Sequence, residues 1–446
     1  MQTILILGGG KSAIYLIDYL AESCLSKSRK LILADLNLGS AQEKLKDRPN
    51  TEARKLNIED LSARQFLIQE ADLVISMLPA FLHPTVAKDC LDFGKHFFSA
   101  SYESDEMRKM KTEIEAKNLI FLNECGLDPG IDHMSAMKII DRAKAEGEEI
   151  ISFKSYCGGL LSPESEDNPW KYKFTWNPRN VVLAGQGASR YIDQGELKLV
   201  PYHRLFTRLD SIKLPGLGNF EGYPNRDSLS YRKTYGVENI PTMLRGTLRR
   251  EGYCKAWNIF VQLGMCDDSY ELDLPDKMSL RQFLNTFLPY DPVQTVEEKV
   301  ADVIPDFDFQ TWEKIQWLGF FGPNPLPKTK GSPAAILQAI LEKNWKLYPE
   351  DKDMIVMQHL FELATKSGKK TITSTLVSFG EGSTYTAMAK TVGLPLAIAV
   401  DLFLDGKIKL AGLHTPVIPR LYQPILEELD KFGIRFKEEV LAKEGP

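Results

Sequence analysis

An α/β fold, in which a doubly wound parallel sheet is followed by a mixed α/β domain with a helical insertion, is what this sequence predicts. Three observations lead there. A glycine turn joins an apolar run to an amphipathic run at the N-terminus, strand-type and helix-type segments alternate through residue 127, and the rhythm changes after Ile131.

In "TILILGGGKSAIYLIDYLAE" a buried-type strand, Ile4 to Leu7, runs into Gly8-Gly9-Gly10-Lys11-Ser12-Ala13, which fits G-x-G-x-x-G/A. Gly8 permits the tight turn and Gly10 lets the backbone approach a pyrophosphate. Ala13 keeps the following helix close to the sheet, and the helix N-terminus offers amides and its positive dipole end to the anion. The pattern alone is weak, but its context is specific. A second strand, "RKLILADL", ends at Asp35, where the ribose-binding acid of a Rossmann-type domain belongs. A carboxylate there accepts from the ribose hydroxyls and repels a 2′-phosphate, which favours NAD over NADP.

The alternation continues. "ARKLNI" reads as a strand, "LSARQFLIQE" as a helix, "ADLVISMLP" as a strand, "HPTVAKDCLDFG" as a helix, "HFFSASY" as a strand, "ESDEMRKMKTEIEAKN" as one charged helix and "LIFLNECG" as a strand. Ligands of such a sheet lie beyond the carboxyl ends of its strands, here Gly8, Asp35, Ser76 to Pro79, Ser101-Tyr102 and Gly126 to Pro129.

After Ile131, "DHMSAMKIIDRAKAEG" reads as a helix packing Met134, Met137, Ile140 and Ala143, and "EEIISFKSYCGGL" as a strand ending near Cys157. Strand-like pieces recur to residue 264. The stretch from Cys266 to Lys346 reads as helical, a hairpin turns at Ser367-Gly368, and a long helix beginning in "TYTAMAKTVGLP" leads to a short strand–helix tail. The expected domains are 1–127 completed by 390–446, then 128–265 with 347–389, and a helical insertion 266–346.

With 446 residues, 43% hydrophobic and 26% charged, the chain has the composition of a globular protein of two or three domains. A formal net charge of -5 and the lack of long Lys/Arg runs argue against nucleic-acid binding. Apolar stretches such as "LPLAIAVDLFL" read as too interrupted for a membrane span, and the early first strand leaves no room for a signal peptide. The six cysteines are scattered without a CxxC pair, which points to reduced thiols in a cytoplasmic protein, with no zinc site and no disulfide framework.

Four clusters carry possible chemistry. In "NECGLDPGIDHM", Asp128, Asp132 and His133 surround a Pro-Gly turn, where a satisfied loop carboxylate and a helix N-cap at Asp132 compete with an acid/base or metal role. Arg226 lies in "YPNRDSLSY", and Arg245, Arg249 and Arg250 in "MLRGTLRREGY". Single arginines usually serve surface ion pairs, whereas two arginine-bearing turns suit a substrate with several carboxylates, because guanidinium matches carboxylate in a fork. In "SYCGGL", Cys157 has no histidine nearby in sequence, and the glycines imply that something approaches the backbone closely. A pocket wall is the better reading than a nucleophile.

Taken in order, "NECGLDPGIDH", "SYCGGLLSPESEDNPWKYKFTW", "EGYPNRDS", "LRGTLRREGY" and "MAKTVGLP" resemble the saccharopine dehydrogenases of the glutamate-forming type, along essentially the full chain. The resemblance implies oxidation of the secondary amine of saccharopine by NAD(P)+, with hydrolysis of the imine to glutamate and 2-aminoadipate 6-semialdehyde, or the reverse. It implies a homodimer and three domains. It assigns substrate contacts to Ser101, Tyr102, Asp128, Arg226, Arg245, Gly246 and Thr247, and places Asp128, Tyr102 and Cys157 nearest the reacting amine. It sets Leu127, Asp128 and Trp176 against the nicotinamide. They join the cofactor contacts expected at Gly8, Gly10, Lys11, Ser12, Ala13, Asp35, Leu36, Ser76, Leu78 and Pro79. NADP-using members carry an arginine after the second strand where this chain has "ADLN", so Asp35 and Leu36 argue for NAD. A carboxylated-polyamine or lysine dehydrogenase has no need of two arginine turns. A non-catalytic NAD-binding protein of the same fold has no need of Asp128, Arg226 and Arg245.

Overall fold

The computed structural model describes residues 1–304, 307–366 and 368–442. Contacts divide the chain into two compact units, Met1–Glu149 with Thr375–Glu438, and Ile150–Ser374 with the chain from Glu439 onward.

The first unit is built on six strands, β1 (Thr3–Leu7), β2 (Lys30–Asp35), β3 (Thr51–Lys55), β4 (Leu73–Ser76), β5 (His96–Ser99) and β6 (Ile120–Leu122), with Gly412–His414 as a seventh. Their order is β3-β2-β1-β4-β5-β6 followed by Gly412–His414, and all pairings are parallel. This is the doubly wound arrangement, with its reversal of direction between β1 and β4. Continuous buried runs in β1, β2 and β4 follow from helices covering both faces of a parallel sheet. The helices α1 (Ile14–Ser26), α2 (Leu38–Leu45), α3 (Leu61–Glu70) and α4 (His83–Asp92) connect these strands. Asn37 caps α2 by accepting from the Ser40 amide at 3.1 Å, and Asp60 caps α3 by accepting from the Ala63 amide at 3.0 Å.

Two local expectations change. The single charged helix is broken at Met110 into Asp105–Lys109 and Lys111–Ala116, which bury Met107 and Ile114 respectively. The strand expected over "LIFLNECG" stops at Leu122, and Glu124 takes a left-handed φ of 57°.

Helix Ala387–Leu404 packs on α1. A Cβ at Gly393 would stand 2.9 Å from the backbone N of Leu16, so only glycine permits this approach. By length and composition the helix is apolar enough to cross a membrane, contrary to the reading of that stretch as too interrupted, and 78% of it is buried inside the protein.

The second unit holds a nine-stranded sheet. Its strands β7 (Glu149–Leu161), β8 (Ser189–Asp193), β9 (Glu196–Val200), β10 (Asp210–Leu214), β11 (Gly218–Pro224) and β12 (Thr242–Arg250) are joined by Asp353–Thr365, Gly368–Phe379 and the last strand, Lys437–Ala442. Ser367, half of the expected hairpin turn, lies outside the described residues. The tail divides, with Gly412–His414 in the first sheet and Lys437–Ala442 in the second. Helices Leu280–Asn285, Val296–Val303, Phe309–Trp317 and Pro333–Asn344 form the insertion, packed with Tyr253–Gln262 around Trp170, Trp257, Phe260 and Trp345.

Candidate active site

In the first unit the glycine turn is drawn tight by the sheet. Gly8 has φ +93°, and its amide donates to Ala34 at 2.9 Å. A Cβ there would press on the Met77 carbonyl oxygen at 3.2 Å. A Cβ at Gly10 would meet nothing within 4 Å, so open space lies in front of this turn. Lys11, Ser12 and Ala13 make a single 3-10 turn into α1, with Ala13 fully buried.

Asp35 leans across the turn. One carboxylate oxygen accepts from the Gly9 amide at 2.7 Å and the other from the Asn37 amide at 2.8 Å. Two backbone donors thereby orient the carboxylate and leave its remaining lone pairs for a ribose. The open cradle at Gly10 and the oriented acid at Asp35 fit a nicotinamide dinucleotide. Leu36 beside it is exposed, Leu78 lies against the Gly8 position, and Pro79 opens the short turn before α4.

Farther along the sheet the chain builds an acid at a rigid corner. From Phe121 to Gly130 every residue is buried except the half-buried Asp128. The corner is closed by the Gly126 amide donating to Pro129 at 3.0 Å and the Ile131 amide donating to Gly126 at 2.9 Å. Gly130, with φ +145°, could not carry a Cβ, which would fall 2.1 Å from the Gly126 carbonyl oxygen. Tyr102 Oη lies 3.5 Å from an Asp128 carboxylate oxygen, at the limit of a hydrogen bond, and Leu127 is buried beneath.

The acid–histidine cluster is a brace for this corner. His133, fully buried, holds Glu124 through Nε2 at 2.8 Å and approaches Asp132 through Nδ1 at 3.4 Å. Glu124 also accepts from the Glu103 amide at 2.9 Å, while Asp132 accepts from the Gly130 amide at 2.6 Å. Gly130 is the N-cap of helix Ile131–Ala145, so Asp132 caps from inside the first turn and is not itself the N-cap expected.

Sequence reasoning missed His83. Its ring lies between Ser76 Oγ, at 2.8 Å from Nδ1, and Ser101 Oγ, at 2.7 Å from Nε2. These two serines end β4 and follow β5, and nothing in their spacing along the chain announces the imidazole that joins them.

In the second unit β12 runs parallel to β7, pairing Arg245 with Ser155 and Thr247 with Cys157. Paired residues share a face and neighbours alternate, so Ser155, Cys157, Arg245, Thr247 and Arg249 all project from one side. Cys157 is not a strand end. β7 continues to Leu161, and the glycine after Cys157 is required by the protein itself, because a Cβ at Gly158 would lie 2.8 Å from the Leu248 carbonyl oxygen and Cβ. Gly246 is similarly demanded from the opposite face, where the Tyr156 ring would be 2.7 Å from its Cβ. Cys157 is 7% exposed in this row.

Arg226 lies in a turn, but Arg245 lies within strand β12 rather than in the turn expected, and the two segments are stitched together. The Asn225 amide donates to the Arg245 carbonyl at 2.8 Å, and the Arg245 amide donates to Ser228 Oγ at 2.9 Å. Arg226 is exposed, with φ 51°, and its carbonyl accepts from Ser189 Oγ at 2.8 Å and the Arg190 amide at 2.9 Å. Arg245 is buried with its guanidinium 4.2 Å from the centre of the Tyr231 ring. The other two arginines of that cluster part company. Arg250 pairs with Glu166, whereas Arg249 is 4% exposed among the rings of Tyr172, Tyr223 and Tyr253. Trp176 packs against the aromatic core of the insertion.

The chain matches two family models, "Saccharopine dehydrogenase NADP binding domain" over residues 4–122 and "Saccharopine dehydrogenase C-terminal domain" over residues 126–434. It is 33% identical to the saccharopine dehydrogenase [NADP(+), L-glutamate-forming] of Schizosaccharomyces pombe, covering 100% of both chains. It is 36% identical to the mitochondrial alpha-aminoadipic semialdehyde synthase of Mus musculus, of which it spans about half, 48%, with 99% of its own length. The apo structure of the L-Glu-forming saccharopine dehydrogenase from Saccharomyces cerevisiae superposes with a TM-score of 0.90 at 33% identity, covering 99% of this chain and 100% of that one. With both models matched in sequence and the glycine turn, the Asp128 corner and the Arg226 turn beside the Arg245 strand built as described, the chain belongs to the saccharopine dehydrogenase family.

Proposed function

We propose that the protein is a glutamate-forming saccharopine dehydrogenase. Saccharopine, a nicotinamide cofactor and water give glutamate, 2-aminoadipate 6-semialdehyde, the reduced cofactor and a proton, or the reverse. The observation that carries this reading is the row of Arg245 and Thr247 beside Cys157, stitched to the Arg226 turn, because a substrate with three carboxylates needs more than one such donor set. The relatives' names give the same reaction.

The Gly8–Ala13 turn and Asp35 would hold the nicotinamide cofactor, which would supply the hydride acceptor for the carbon beside the secondary amine, or the hydride donor for the imine. Arg226, Arg245 and Thr247 hold carboxylates and so orient the substrate, which for an already electrophilic imine is most of what the protein must contribute. Asp128, held at a corner that cannot yield, and Tyr102 beside it face the amine and handle its proton. Cys157 and Ser155 line the wall.

NAD is the cofactor this reading favours, although the relatives and one family model are named for NADP. Support comes from Asp35, whose carboxylate is pinned by two amides where a 2′-phosphate would have to sit. The protein acts as a homodimer in the cytoplasm, where its thiols stay reduced. Size-exclusion chromatography with light scattering tests the dimer. Turnover is tested by mixing protein, saccharopine and either NAD+ or NADP+ and following the reduced cofactor. No reduction with either would overturn the assignment.

A further inference from the structure

His83 begins α4, is 4% exposed, and packs its ring edge-on against Phe97. Its nitrogens touch one hydroxyl each, Ser76 on Nδ1 and Ser101 on Nε2. Burial drives its pKa down to about 4, so the ring is neutral and carries a single N–H. One serine must therefore accept from it and the other donate to it.

The surroundings decide which. Ser76 is 1% exposed, and His83 is its side chain's hydrogen-bond partner. If Nδ1 carried the proton, Ser76 would accept and its own hydroxyl proton would be left buried without an acceptor, a cost comparable to a lost hydrogen bond. The proton therefore sits on Nε2. Ser76 donates to Nδ1, Nε2–H donates to Ser101, and the half-buried Ser101 is left with its own O–H to give. Its amide is already committed to Ser99 Oγ at 3.0 Å.

We propose that His83 is a positioning residue that fixes Ser101 as a hydrogen-bond donor to a carboxylate of the substrate. The chain Ser76 O–H to Nδ1, then Nε2–H to Ser101 Oγ, then Ser101 O–H to carboxylate runs in one direction, and each bond polarises the next. A donor so fixed favours an anionic oxygen and disfavours an ammonium group. No sequence motif marks the role, and it rests on the functional reading above.

The test compares wild type with H83A, H83Q and S101A. Saturation kinetics with saccharopine at saturating cofactor are combined with cofactor affinity by fluorescence titration. Nitrogen-15 NMR of the His83 ring, assigned by its loss in H83Q, reads the tautomer. H83A and S101A should raise KM for saccharopine by about tenfold or more, the effect of one hydrogen bond to a charged group, with kcat far less changed. Cofactor affinity should hold. H83Q, whose side-chain amide can keep an N–H toward Ser101, should recover most of the loss, and the complex should show a protonated Nε2 with a bare Nδ1. Wild-type KM in H83A, or a protonated Nδ1 in the complex, would overturn the proposal while leaving the enzyme assignment standing. Failure of wild type to turn over saccharopine would overturn both. If H83A does not fold, S101A and the tautomer decide.

Discussion

On the proposed reading, a single carboxylate at Asp35 sets which dinucleotide enters. The Gly9 and Asn37 amides hold it in place, so a 2′-phosphate bound there would meet its charge. D35S should therefore raise kcat/KM for NADP+ relative to NAD+ by about tenfold or more, since a like-charge juxtaposition costs several kcal/mol. An unchanged ratio would remove Asp35 from cofactor choice. Cys157 tests the opposite kind of claim. On the proposed reading it is a wall residue, so C157S should keep most of its turnover, whereas a folded C157S without activity would make it a nucleophile. His83 has a consequence for stability as well. Its folded pKa, about 4, lies below the ordinary 6.5, so below pH 6.5 the unfolded chain takes up a proton that the folded one refuses. Stability should then fall as pH drops from 6.5 toward 4, by up to about 3 kcal/mol from this group. H83Q should flatten that part of a urea-midpoint profile, and an equal slope in both proteins would contradict it.

Elements were legible where their signals are local. The glycine turn, the acid at the end of β2 and the alternation to β6 each lie within one short window, and the structure has them in order. Contacts made across the sheet were not legible. The glycines after Cys157 look like a strand end or a ligand's approach. Gly158 instead makes room for Leu248 of β12, and Gly246 makes room for Tyr156 of β7. Likewise Arg245, Arg249 and Arg250 cluster in sequence but alternate across a strand, which buries Arg249 among tyrosines and sends Arg250 to Glu166. The brace from His133 to Glu124 and the bridge from Ser76 through His83 to Ser101 join residues that no periodicity connects. Gly393 is of the same kind. Because its missing Cβ would stand 2.9 Å from the Leu16 backbone N, G393A should push helix Ala387–Leu404 off α1. A loss of about 1–3 kcal/mol is expected from the shift in urea midpoint, and wild-type stability would show that the two helices part freely.

Across the molecule, the Gly8–Ala13 turn and Asp128 belong to one unit, and Arg226, Arg245 and Thr247 belong to the other. Binding of either ligand to the folded protein should raise its melting temperature by mass action. The most direct measurement is of stoichiometry. Purified protein is given saccharopine and NAD+, and reduced cofactor, glutamate and 2-aminoadipate 6-semialdehyde are quantified together. One glutamate and one semialdehyde per reduced cofactor, formed faster with NAD+ than with NADP+, is the expected result. Cofactor reduction without glutamate, or no reduction with either dinucleotide, would contradict it.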